Sequence, residues 1–366
     1  MNKLCDDTNN HILSFLIDKP QQTIQYLNND ILFLYYTSKY WNKIIKTWIQ
    51  QSETKCTKIP VYFSLNINNA ILNNQINILK WLHKRKYSLK YDKWAINKSY
   101  GEKGYINILR WLNQYNYDLM YNIRIMEDIS ANGHVNVLEW FEHNGYNGYN
   151  IIYDNTDIYI NIMNASINGH INILEWFKNS RYQFKYDYWV INNVAKKGHI
   201  HVLEWFKNSG YEFKYDVVAI NWASKYGHIH VLEWFKNSGY KFKYSSHATQ
   251  YACENKHINV LEWFKNSGYE FKYDENAVNW ASRNYDLKIL NWFKNSGYVM
   301  KYSNQAIHSA HTNDHLCILE WWKNSGYEMK YNELCINNAS RNGCINVLNW
   351  WKNSGCELKY NKWAIN

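Results

Sequence analysis

The sequence predicts an all-α solenoid of about ten stacked helix-turn-helix repeats behind an N-terminal helical cap. Three observations predict it. The phrase "HVLEWFKNSGYEFKYD" at residues 201–216 returns twenty-nine residues later as "HVLEWFKNSGYKFKYS" at 230–245. A tryptophan within this phrase recurs at Trp81, Trp111, Trp140, Trp176, Trp205, Trp234, Trp263, Trp292, Trp321 and Trp350, in steps of 30, 29 and 36 and then six of 29 residues. Within each unit the apolar residues keep helical spacing: Ile229, Val231, Leu232, Trp234 and Phe235 form one stripe. The long step holds an insertion at 145–159, which is assigned to a loop, where extra length costs little closure entropy.

Residues 216–239 show how one unit is built. Asp216 opens the first helix as N-cap, and Asp187, Ser245, Asp274, Ser303, Asn332 and Asn361 stand at the equivalent places, all residues whose side chains accept from free helix N–H groups. The first helix follows as "VVAINWASKY" and is closed by Gly227, suited to a left-handed turn. The second helix, "HIHVLEWFKNS", carries the apolar stripe and is closed by Gly239. "YKFKYS" then reads as an extended linker rather than a strand pair. One such unit cannot bury its own stripe, so neighbours must stack, each buried ring contributing about 1.5–3 kcal/mol. At the far end "YNKWAIN", residues 360–366, begins another first helix.

Composition bounds the rest. With 366 residues, 46% hydrophobic and 18% aromatic, the chain can bury a large core despite a mean hydropathy of −0.60. No stretch approaches the roughly 18 apolar residues of a membrane span, and Asp6 and Asp7 interrupt any leader peptide. The seven cysteines include no Cys-x-x-Cys pair, which fits reduced thiols and a cytoplasmic setting.

At Ala219–Ser224, "AINWAS", and the following "KYGHIHVLEWFKNSGYKF", the chain resembles the ankyrin repeat, with Gly227-His228, Val231-Leu232, Trp234-Phe235 and Gly239 in register. The resemblance covers 56–366; it departs in lacking the Thr-Pro start and in being four residues shorter than the ankyrin unit of about 33. Composition and repeat style together resemble the ankyrin-repeat proteins of giant DNA viruses of amoebae, which implies a host-cytoplasm setting. Residues 1–55 form a separate segment. There "LCDDTNNHILSFL" at 4–16 and "TSKYWNKI" at 37–44 resemble the two ends of an F-box, with Cys5 in the place of Pro and a longer gap between the halves. That resemblance implies docking on the adaptor of a cullin-type ubiquitin ligase.

Several rows of side chains invite chemical readings. His134, His170, His199, His228, His257 and His315 form a ladder, but stacked helices lie roughly 8–10 Å apart whereas zinc ligands sit about 2 Å from the metal, so the ladder is assigned to the turn and no metal site is expected. His199 and His201 are expected to point to different sides. Ser209, Ser238, Ser267, Ser296, Ser325 and Ser354 stand beside helix-closing glycines and are assigned to capping. No phosphate-cradling loop occurs; neither catalytic residues nor a cofactor is expected.

The net charge of +10 arises partly from two lysine rows, Lys207, Lys236, Lys265, Lys294, Lys323, Lys352 and Lys214, Lys243, Lys272, Lys301, Lys330, Lys359. Glu204, Glu233, Glu262 and Glu320 run beside the first row and are expected to neutralise it, which sets nucleic acid aside. The ankyrin pattern's variable position on the concave face reads Asn164, Asn193, Trp222, Tyr251, Trp280, Ser309 and Asn338. Trp222, Tyr251 and Trp280, with Lys225, Tyr226 and Arg283, are the candidate partner site, a composition that interface hot spots favour; the competing assignment makes Trp222 and Trp280 extra core. The sequence therefore points to a non-enzymatic scaffold for a protein partner, and to a ubiquitin-ligase substrate receptor if the F-box holds. The alternative is a nucleic-acid-binding helical repeat protein using its basic rows.

Overall fold

A computed structural model describes residues 67–84, 86, 89–119, 124–144, 155–308 and 316–364. The N-terminal segment 1–55, its F-box resemblance, Ser309 and His315 lie outside the described residues. Among the described residues there is no strand, and every regular element is helical. No helix among them is long and apolar enough to cross a membrane.

The chain divides into two compact units, Met1–Ile152 and Tyr153–Asn366. In the second, first helices Asn155–Ile167, Tyr188–Lys197, Val217–Lys225, His247–Glu254, Glu275–Arg283, Gln305–His308 and Leu334–Arg341 alternate with second helices Ile171–Asn179, Ile200–Asn208, Ile229–Asn237, Ile258–Asn266, Leu287–Asn295, Leu316–Asn324 and Ile345–Asn353. First helices from Tyr188–Lys197 onward pack on their neighbours and on their own second helices, and second helices on second helices, which is the two-layered stack of a helical-repeat solenoid. The first unit repeats the alternation with Ile76–Lys84, Lys93–Asn97, Ile106–Gln114, Ile125–Asn132 and Val135–His143.

The repeat from Trp81 to Trp111 is one residue longer than the common period, and Lys93–Asn97 runs straight into a π-helical turn, Lys98–Glu102. A π turn holds one residue more than an α turn, so the extra residue is absorbed inside the helix without shifting its ends. The insertion at 145–159 behaves otherwise than expected. Its last five residues are not loop but lengthen a first helix to Asn155–Ile167, 13 residues, because the continuing turns satisfy their own backbone groups.

Packing follows the apolar stripe. Ala219, Ala223 and Ser224 are fully buried on a first helix, small enough for neighbouring helices to approach, while Val231, Leu232 and Phe235 fill the second layer. The linkers contribute a further row: Phe213 stacks on Tyr240 with centroids 4.4 Å apart, and Phe242 on Tyr269 at 4.3 Å. The Tyr215 hydroxyl donates to the Lys241 carbonyl one linker on, and Tyr273 to Val299 at 2.6 Å. Burial pushes the Tyr215 phenol up to about 12, so it stays a donor.

The caps form as expected, and they also join repeats. Asp216 Oδ1 accepts from Val218 N at 2.8 Å and, at 2.8 Å, from Asn192 Nδ2 of the preceding repeat. Asn221 grips Ser245 and Asn279 grips Ser303 in the same way, each asparagine also accepting the cap residue's N–H. Asn192 is fully buried and Asn221 nearly so, and each has its amide satisfied.

Candidate functional site

The polar rows sort into structural and surface groups. The glutamates of the row make no ion pair with the lysines beside them. Trp234 Nε1 donates to Glu204 at 2.7 Å, Trp263 to Glu233 at 2.5 Å, Trp292 to Glu262 at 2.5 Å and Trp350 to Glu320 at 2.5 Å, so each carboxylate receives the indole of the next repeat. This bond, with a second from Asn208, holds the Glu204 carboxyl below its ordinary range, and the charge of Lys207 adds to what holds it down. Among the described residues the ion pairs are Lys98–Glu102 at 3.3 Å, Lys214–Glu212 at 3.8 Å and Lys359–Glu357 at 3.8 Å.

Most lysines of both rows lie over rings. Lys207 and Lys236 sit 6.0 and 5.9 Å from the centroids of Trp234 and Trp263. Lys243, Lys272 and Lys301 sit 4.4, 4.5 and 4.3 Å from those of Tyr215, Tyr244 and Tyr273.

Each described serine of the "NSG" row does cap: Ser209 Oγ donates to Phe206 O at 2.7 Å and accepts from Tyr211 N. His228 Nε2 bonds Lys196 O at 3.0 Å and His230 Nε2 bonds Gly198 O at 3.0 Å, which fixes both rings on the preceding repeat. The expected divergence of paired histidines is wrong: the rings of His199 and His201 lie 5.4 Å apart and those of His228 and His230 5.3 Å apart, because both reach back over one glycine. Among the described residues no group of three or more His, Cys, Asp or Glu is placed to hold a metal ion.

What remains is the outer face of the first helices, where the candidate residues meet. Trp222, Tyr251 and Trp280 are half-buried, neither core nor free, and Tyr226 is exposed. Lys225 stands 4.9 Å from the Tyr251 centroid across the repeat boundary, and the Arg283 guanidinium stands 4.7 Å from Trp280 on its own helix. The structure adds two residues. Lys196 lies over both Trp222 at 5.0 Å and Tyr226 at 5.6 Å, and Trp189 lies 5.8 Å from Trp222. Trp189, Asn193 and Lys196 follow i, i+4, i+7 spacing, so the signal for one outer face was present in the sequence. Lys196, Lys225 and Arg283 take part in none of the ion pairs above. Glu254 adds one carboxylate to this face, its carbonyl accepting from Asn284. In the first unit Lys98 lies 5.7 Å from Trp94, which is 60% exposed.

No protein-family model matches the sequence, and no curated protein matches it. Among solved structures the chain is similar to the pentatricopeptide repeat protein PPR10 from maize, at 12% identity and a TM-score of 0.33, covering 89% of this chain and 58% of that one. It is also similar to the same-named protein in complex with an 18-nt psaJ RNA element, at 11% identity and a TM-score of 0.35, covering 95% and 56%. The chain thus spans little more than half the length of these proteins, and the likeness is one of helical-repeat architecture.

The expectation of a protein-docking scaffold or ligase receptor with nucleic acid set aside is corrected here. The glutamates expected to offset the lysines make no ion pair with them, and Lys196, Lys225 and Arg283 lie over rings and take part in none of the ion pairs among the described residues.

Proposed function

We propose that the chain is a non-catalytic nucleic-acid-binding repeat protein whose contact surface is the outer face of its first helices. One observation carries this: cations laid over aromatic rings on successive helices and bound to no carboxylate, Lys196 on Trp222, Lys225 on Tyr251 and Arg283 on Trp280. A cation over a half-buried ring is held by about 0.5–2 kcal/mol and can turn outward at a cost of that order. Phosphate oxygens are then a stronger partner, through charge-assisted hydrogen bonds. The net charge of +10 draws a polyanion toward the protein before any specific contact forms. Kinship with ankyrin repeats belongs to the same proposal, supported by the left-handed Gly227 at φ 72° followed by His228 at the turn between helices.

The test is fluorescence anisotropy of a labelled oligonucleotide with the full-length chain across a salt series. The logarithm of affinity should fall linearly with the logarithm of salt, by about 0.7 per phosphate contacted on a single strand. The triple variant Lys196→Glu, Lys225→Glu, Arg283→Glu should lose at least about tenfold in affinity, or roughly 1.4 kcal/mol, and flatten that slope. Binding that ignores salt, or a variant with unchanged affinity, refutes the proposal.

A further inference from the structure

We infer, resting on that reading, that the nucleic acid this face takes is an unpaired strand whose bases stack on its rings, rather than a duplex. The rings are the reason. Elsewhere in the stack aromatics satisfy one another face to face, as Phe213 does with Tyr240 at 4.4 Å and 13°. On the outer face Trp189 is 40% and Tyr226 44% exposed; Trp189 meets Tyr188 and Trp222 only at tilted angles of 35° and 37°, Tyr226 has His228 alongside with centroids 6.4 Å apart, and the tip of Lys196 lies over Trp222 and Tyr226. Such rings present apolar area to water, and a flat partner laid on their faces recovers that area. A duplex cannot be that partner, since its base faces are buried in its own stack and it offers phosphates and groove edges. An unpaired base offers a whole face, and stacking on an aromatic side chain contributes about 1–3 kcal/mol per base.

The charges agree with this choice. Each of the Lys196, Lys225 and Arg283 cations lies within 5.0 Å of a ring centroid, so a base on the ring and its phosphate on the displaced cation can be served together. Glu254 sits on the helix between those bearing Lys225 and Arg283. A flexible strand can route its phosphates around one carboxylate, whereas the fixed phosphate rows of a duplex cannot.

The experiment uses the full-length chain and one labelled oligonucleotide of about 20 nucleotides without self-complementarity, offered single-stranded or annealed to its complement at the same salt. The single strand is expected to bind at least about tenfold tighter. The Trp189→Ala, Tyr226→Ala variant, at exposed positions, should bring that preference toward unity, while Trp189→Phe, Tyr226→Phe should keep it. The charge variant Lys196→Gln, Lys225→Gln should weaken both forms together and leave the ratio. A duplex bound as tightly as the strand, or a preference untouched by removing the rings, overturns the inference and leaves nucleic-acid binding standing. Failure to bind either form ends both.

Discussion

At the scale of single residues, the indole-to-carboxylate rung shows how one side chain decides a repeat's stability. The residue just before the tryptophan of one repeat accepts the next repeat's indole Nε1: Glu175 serves Trp205, and Glu204 serves Trp234. In the first unit that place is held by Lys80, which cannot accept, and Trp111 Nε1 is buried with no hydrogen-bond partner. A buried donor left without an acceptor costs about 1–3 kcal/mol. Lys80→Glu should therefore raise the unfolding free energy by an amount in that range and the denaturant midpoint with it, whereas Lys80→Met, which removes charge without supplying an acceptor, should leave the midpoint near the starting value. Equal midpoints for the two variants would show that Lys80 does not stand at the rung. The glutamate row was legible as a row from its spacing, but its partner was not. A carboxylate beside a lysine in the sequence reads as an ion pair, and the indole that takes it lies 30 residues on.

At the scale of the helical element, glycines that look alike in the sequence do different work. Gly227 and Gly239 both close helices and both have positive φ, 72° and 87°. A Cβ on Gly227 would come 2.8 Å from His257 Nδ1, while one on Gly239 meets nothing within 4 Å. Gly239→Ala should cost about 1 kcal/mol for the left-handed backbone alone. Gly227→Ala should cost clearly more, because the ring of the next repeat must also give way; paired chemical-denaturation curves measure the difference. If the two variants unfold together, His257 does not press on the turn. The helices themselves were readable to within a residue or two at their ends, since capping residues and left-handed glycines act over one helical turn. The lengthening of Asn155–Ile167 was not readable, because the insertion opens with "GYNGYN", which reads as loop and carried the whole of 145–159 with it.

At the scale of the whole molecule, stacking brings histidines of successive repeats together and makes stability depend on acidity. Burial holds the His199 and His228 imidazoles below their ordinary value, and neighbouring positive groups add to it: His201, Lys197 and His170 for the first, and His230, His257 and His199 for the second. Above the unfolded value of about 6.5 both states are neutral and nothing is lost. As pH falls below it, the unfolded chain takes up protons first, so stability declines until the folded rings protonate as well. The denaturant midpoint should fall on going from neutral pH toward pH about 5, and the double variant His201→Gln, His230→Gln should soften that fall. A midpoint flat across this window would contradict the assignment.

By itself the sequence determined the repeat, its two helices, their caps and their closing turns, because each follows from spacing within a single unit. Only the tertiary structure decided which rows meet. Asparagines reach 24 residues ahead, tyrosines 26, indoles 30 back and histidines 32 back, whereas the repeat period is 29. Those offsets are set by the register in which one unit settles on the next, a register fixed by ring packing between layers and by no spacing inside a unit. The same register sets Lys196 over Trp222 and Lys225 over Tyr251, and so assembles a surface that neither helix carries alone.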